Sequence, residues 1–178
     1  MNHPLSIAET VLLAALRELF PGVARAKEDG TASASASAER DIVVGTIGFV
    51  GAEMRGAITL VGTVPNWRSL APLAMRVAAE NEPMLCDMVG EIANMLAGRF
   101  RNAFLRLGVE IQVATPVTTR GSSLAVHETD GAAVRWHALS CDAGDFRLRL
   151  DLAVVAGFDF GGRELAVVDP NVQELVLF

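Results

Sequence analysis

The sequence predicts an α+β fold: a mainly antiparallel β-sheet with its helices packed on one face. Three observations point there. Phe146, Leu148, Leu150 and Leu152 alternate with Arg147, Arg149 and Asp151, a two-residue period that places apolar side chains on one face of a strand and polar ones on a solvated face. Leu85, Val89, Ile92, Leu96, Phe100, Ala103 and Leu107 recur instead at three- and four-residue intervals. At about 100° per residue they gather into one stripe of a long helix, near 84–107. The elements also arrive in blocks (helix, strands, helices, strands) and not in the strand–helix alternation that builds parallel sheets.

Each element has a local reason. Leu5 to Glu9 opens a first helix, with Ser6 and Glu9 spaced as a capping box; apolar residues continue to Phe20, and Pro21-Gly22 ends it. Thr31 to Ala38 is a run of alanine, serine and threonine without charge or aromatics, so a mobile loop is expected over about 28–40. Two strands follow near 41–50 and 55–63, joined through Gly51 and Gly56. Pro65 begins a helix with Trp67, Leu70, Leu73, Ala74 and Val77 on one side. Pro83 restarts the chain at the first turn of the long helix, a position where a missing N–H costs nothing. Three or four strands come next, among them Val134, Trp136 and Ala138 as hairpin partner of the 146–152 strand, with a turn at Asp142 to Gly144. A C-terminal extension from Gly161 ends in Leu175-Val-Leu-Phe178. It is expected to cover an edge strand of its own subunit, the alternative being pairing with a second subunit.

At 178 residues, the chain is expected to be a single domain, 1–178, with core enough to fold without staples. A formal net charge of −6 with no basic run argues against nucleic acid as a partner. No apolar stretch is long enough to span a membrane, and Glu9 interrupts the N-terminal one, so neither an anchor nor a signal peptide is expected. Cys86 and Cys141 are too few for a disulfide framework, which suits reduced thiols in a cytoplasm. His3, His127 and His137 have no cysteine or carboxylate at ligand spacing, so no metal site is expected. Without a glycine-rich phosphate loop or a nucleophile–histidine arrangement, a small-molecule enzyme is the weakest reading.

The long helix carries the chemistry. Opposite its apolar stripe, Asp87, Glu91, Asn94, Gly98 and Arg101 stack at three- and four-residue spacing. Solvent faces favour long charged residues that are good helix formers; this one has a carboxylate and an amide flanked by Gly90, Ala97 and Gly98. Each glycine costs about 1 kcal/mol against alanine inside a helix, which suggests a surface that another molecule approaches closely.

Asp87-x-x-x-Glu91-x-x-Asn94, followed by Ile111-Gln-Val-Ala-Thr-Pro116, resembles the signature of the CheC/CheX chemotaxis phosphatases. Gly45 to Gly51 and Met54 to Leu60 look like that family's strand–turn–strand entry, and the resemblance covers roughly 42–155. Only one copy of the motif is present, since Leu12 occupies the asparagine position after Glu9; that is similar to the single-site, dimeric CheX branch.

The resemblance implies a cytoplasmic homodimer that hydrolyses the aspartyl phosphate of a CheY-like receiver domain, with no cofactor of its own and Mg2+ on the partner receiver. In that family the asparagine positions the hydrolytic water and the glutamate pairs with the receiver's lysine, so Asn94 and Glu91 are the expected catalytic pair. Asp87, Gly90, Gly98 and Arg101 are the expected docking residues around them. An asparagine amide is no general base, but it can hold a water as the glutamine of GTPases does. That suffices where the leaving group is already a carboxylate and the other catalytic parts lie on the partner. The alternative is a non-catalytic module that binds a response regulator, or a scaffold like the flagellar switch proteins that share the fold. A scaffold would have no need to keep both Glu91 and Asn94.

Overall fold

The computed structural model describes residues 4–20, 22–25, 41–70, 81–122, 124, 131–141 and 144–160. The alanine–serine segment, the terminal extension, Leu73, Ala74, Val77, His3 and His127 lie outside these residues. In chain order the elements are α1 (Pro4–Leu19), β1 (Ala24–Arg25), β2 (Ile42–Gly51), β3 (Met54–Thr63), α2 (Val64–Leu70), α3 (Glu82–Arg106), β4 (Ile111–Val113), β5 (Val117–Gly121), β6 (Ala133–Cys141) and β7 (Gly144–Val154). The strands form one antiparallel sheet in the order β1-β6-β7-β3-β2. The free side of β2 is shared: β5 pairs with Ile42–Thr46 and β4 with Phe49–Gly51. The expected fold class is observed.

The alternation along the strands explains why the helices lie on one face. Val43, Ile47 and Phe49 of β2, Ile58 and Leu60 of β3, and Phe146, Leu148, Leu150 and Leu152 of β7 all point into one buried cluster. Leu5, Leu12 and Leu16 of α1, Trp67 of α2 and Leu85, Val89, Ile92, Leu96, Phe100 and Phe104 of α3 fill its other side. Trp67 is fully enclosed, with its indole N–H donating to the Val43 carbonyl at 3.0 Å, so its one polar atom is satisfied inside the core. Phe100 packs between Phe49 and Phe104, with ring centroids 5.3 and 4.6 Å away.

Three sequence expectations change. The capping box does not form: α1 begins at Pro4, Ser6 lies inside it with its carbonyl accepting from the Thr10 hydroxyl, and Glu9 turns toward β6. There Glu9 lies 3.6 Å from the buried His137 and 4.0 Å from Arg135. The β2–β3 turn is formed by Ala52 and Glu53, leaving Gly51 and Gly56 as the last residue of one strand and an interior residue of the other. Finally, Arg149 and Asp151 face away from the helices as the alternation requires, but they are not solvated: they are 1% and 3% exposed. Two guanidinium nitrogens of Arg149 donate to Asp151 Oδ1 at 2.6 and 3.0 Å, and the Trp136 ring lies 5.4 Å from the guanidinium carbon. Charges leave water at acceptable cost only when paired in this way.

Candidate functional site

α3 is the longest helix among the described residues, and its two faces are as different as its sequence. Pro83 lies in its first turn, and Gly108, with φ of 71°, turns the chain out of it toward β4. Leu85, Val89, Ile92, Leu96 and Phe100 are buried, while Asp87, Glu91, Asn94 and Arg101 are exposed and Gly98 is half-buried. The apolar stripe therefore fixes which way the polar row points. Among the described residues, neither Glu91 nor Asn94 spends its side chain on a hydrogen bond or ion pair within the chain. Both remain available to another molecule, one helical turn apart.

The glycines divide differently from expectation. Gly98 is in open space: a Cβ built there meets nothing within 4 Å. Gly90 is buried on the flank of the helix, where a Cβ would lie 3.5 Å from Thr118 Cγ2 and 3.8 Å from Pro116 Cγ. It is thus a seat for the β4–β5 connection and is not itself part of the outer face; Ala97, 1% exposed, is likewise in the core. Between α3 and the sheet, the close approach that calls for a glycine is at Gly45 of β2. A Cβ there would come within 2.8 Å of Val89 Cγ1 and 3.3 Å of the Val89 carbonyl oxygen. Gly45 thus lets α3 sit directly on the sheet, and Pro116 and Thr118 brace the helix at Gly90, one turn before Asn94. Neither function is legible from α3 alone, because each belongs to a contact between distant segments.

The sequence reading also passed over Met84, Met95 and Leu105. They are 45%, 44% and 54% exposed and lie on the outer side of α3 with Glu91. Their angular positions could have been read from the helical period, but the apolar stripe drew attention to the other face. Arg99, by contrast, is turned to Glu18 of α1 at 3.7 Å. Elsewhere, a trough of about 470 Å³ lined by Gly48, Val50, Ala57, Ala114 and Ala153 lies on the side of the sheet away from the helices, and it includes none of the residues singled out on α3. Among the described residues no group of three histidines, cysteines or acids is placed to hold a metal ion, and no helix is long and apolar enough to cross a membrane.

Comparison with known proteins gives a consistent picture. The family model for the chemotaxis phosphatase CheX matches residues 43–137, from β2 through α3 to β6. Chemotaxis protein CheX from Vibrio vulnificus superposes with a TM-score of 0.62 at 23% identity, over 82% of this chain and 95% of that one. A CheC-like superfamily protein from Shewanella sp. PV-4 gives 0.61 at 20% identity, over 85% of this chain and 99% of that one. A CheX–CheY–BeF3–Mg2+ complex from Borrelia burgdorferi gives 0.62 at 13% identity, over 85% of this chain and 98% of that one. At such identities the structural likenesses establish the fold. No curated protein sequence matches the chain.

Proposed function

The chain belongs to the CheX chemotaxis phosphatase family, and from that premise we propose that it accelerates hydrolysis of the aspartyl phosphate on a CheY-like receiver domain, with Asn94 and Glu91 as the catalytic pair. The observation that carries this reading is their placement: an amide and a carboxylate on successive turns of α3, both exposed and, among the described residues, both uncommitted, inside the matched segment. The Borrelia relative that was crystallised with CheY, BeF3 and Mg2+ supports a receiver as the partner.

In the proposed reaction a water attacks phosphorus, the bond from phosphorus to the aspartyl oxygen breaks, and inorganic phosphate leaves from a regenerated carboxylate. The receiver brings the Mg2+ and a lysine that offset the charge on the phosphoryl oxygens. This chain supplies orientation. The Asn94 amide accepts from the water through its oxygen or donates through its nitrogen, holding it in line without taking a proton. Glu91 accepts from the receiver's lysine and so aligns the docked surface. Asp87 adds charge at the near end of the same row, Arg101 at the far end, and Gly98 leaves room between them. Gly90 acts indirectly, by seating Pro116 and Thr118 one turn before Asn94. One placed water accounts for a gain of about ten- to a hundredfold, roughly 1.4–2.8 kcal/mol of barrier.

The reading also includes a homodimer with both α3 helices facing outward, working in the cytoplasm with no cofactor of its own. The test is the decay of phosphorylated receivers from the same organism, with and without the protein: faster decay of at least one supports a phosphatase. Tight binding with unchanged decay supports a scaffold that only docks regulators.

A further inference from the structure

The outer face of α3 holds more than a catalytic pair. Met84, Met95 and Leu105 are about half exposed, and at 100° per residue all three fall within about 40° of Glu91 around the helix axis. By the helical rise they are spaced about 15–17 Å apart, one near the middle of the face and one toward each end, and the centres of protein interfaces are enriched in methionine and arginine. The charges along the row are also sorted. Asp87 and Glu91 occupy its first half and Arg101 its second, about 15 Å from Glu91 by the helical rise.

Resting on the phosphatase reading above, we infer that this row fixes both the identity and the direction of the docked partner. The receiver lays an apolar surface over Met95, flanked by Met84 and Leu105, with its cationic side toward Asp87 and Glu91 and an acidic group toward Arg101. Reversed docking would set like charges against each other at both ends, which disfavours it by mutual repulsion. The thioether of Met95, next in sequence to Asn94, is flexible enough to conform to a partner's surface. Apolar contacts of this kind are made equally in the ground and transition states, so they act on the affinity for the receiver and not on the chemical step. A second copy of this chain, antiparallel on the same row, would match the charges too. It would also cover Glu91 and Asn94 and leave them no substrate.

The experiment measures phosphoryl-receiver decay against receiver concentration for the wild type, Met95→Ser, Arg101→Glu and Val117→Ser, with sedimentation of each protein alone. Val117, 65% exposed on the sheet face away from the helices, is the control. The expected result is a KM for the receiver raised about tenfold in Met95→Ser, with kcat within about twofold of the wild type. Arg101→Glu should raise KM with a shallower dependence on salt, and Val117→Ser should leave KM unchanged. An unchanged KM in Met95→Ser and Arg101→Glu overturns the inference while leaving a working phosphatase. So does a wild-type dimer that Met95→Ser dissociates without altering KM, since the second copy then owns the face. If the wild type accelerates no receiver, the phosphatase reading itself fails. Titration with a receiver carrying BeF3 and Mg2+ then reads docking alone, and equal affinities of wild type and Met95→Ser overturn the inference there.

Discussion

Asn94 and Glu91 are neighbours on one helical turn, yet their proposed roles differ enough to be separated by measurement. Asn94 is proposed to act on a water, so Asn94→Ala should bind a receiver as the wild type does while stimulated decay falls about ten- to a hundredfold toward the receiver's own rate. Glu91 is proposed to act on the partner's lysine, so Glu91→Ala should weaken binding and rate together; a titration run beside a decay assay distinguishes the two. Both residues are exposed, and thermal unfolding should show a change in stability below about 1 kcal/mol for either. The glycines allow a second pair of predictions at this scale. Gly45→Ala should destabilise by about 1–3 kcal/mol, because its Cβ would be forced into Val89 and the Val89 carbonyl. Gly90→Ala meets Thr118 and Pro116 only at ordinary contact distance, and should be neutral or stabilising by up to about 1 kcal/mol through helix propensity. Equal losses at the two positions, in a denaturant titration, would contradict this division.

At the scale of elements, α3 was the most legible part of the sequence because its pattern is local: a stripe of apolar residues at helical spacing states which face is buried and therefore which is offered. Its neighbours were less legible. Nothing near Gly90 says that Pro116 and Thr118 come to rest on it. Ser6 and Glu9 satisfied the spacing of a capping box, but Glu9 is claimed by His137 and Arg135 on β6, and α1 opens earlier at Pro4. In β7 the alternation gave the correct faces, while the fate of Arg149 and Asp151 depended on Trp136 across the strand pair. Their burial has a consequence. Asp151→Ala should cost about 3 kcal/mol, measured by chemical unfolding, since it removes the carboxylate to which two nitrogens of a buried guanidinium donate; a loss of a few tenths would mean that this face is wetter than it looks.

For the whole molecule, the sheet separates two surfaces: α3 with its polar row on one side, and on the other a face that among the described residues carries no helix, with Val50 and Val117 exposed. The proposed homodimer with α3 outward in each subunit requires that dimerisation use some surface other than that row. Sedimentation at micromolar concentration should therefore give a dimer whose mass is unaffected by Asn94→Ala or Met95→Ser. The fold class could be read from the blocks of elements and their two periods, whereas the pairing order β1-β6-β7-β3-β2 and the division of β2 between β4 and β5 could not, because strand order is set by contacts far apart in sequence. The candidate site lay in between: the spacing of Glu91 and Asn94 identified a family-like motif, but only the fold shows that both side chains are exposed together and, among the described residues, uncommitted. The most direct test is the decay of a phosphorylated CheY-like receiver at saturating protein, wild type beside Asn94→Ala, with binding titrated in parallel. The prediction is accelerated decay by the wild type and near-intrinsic decay with intact binding by the variant; full stimulation by Asn94→Ala would contradict it.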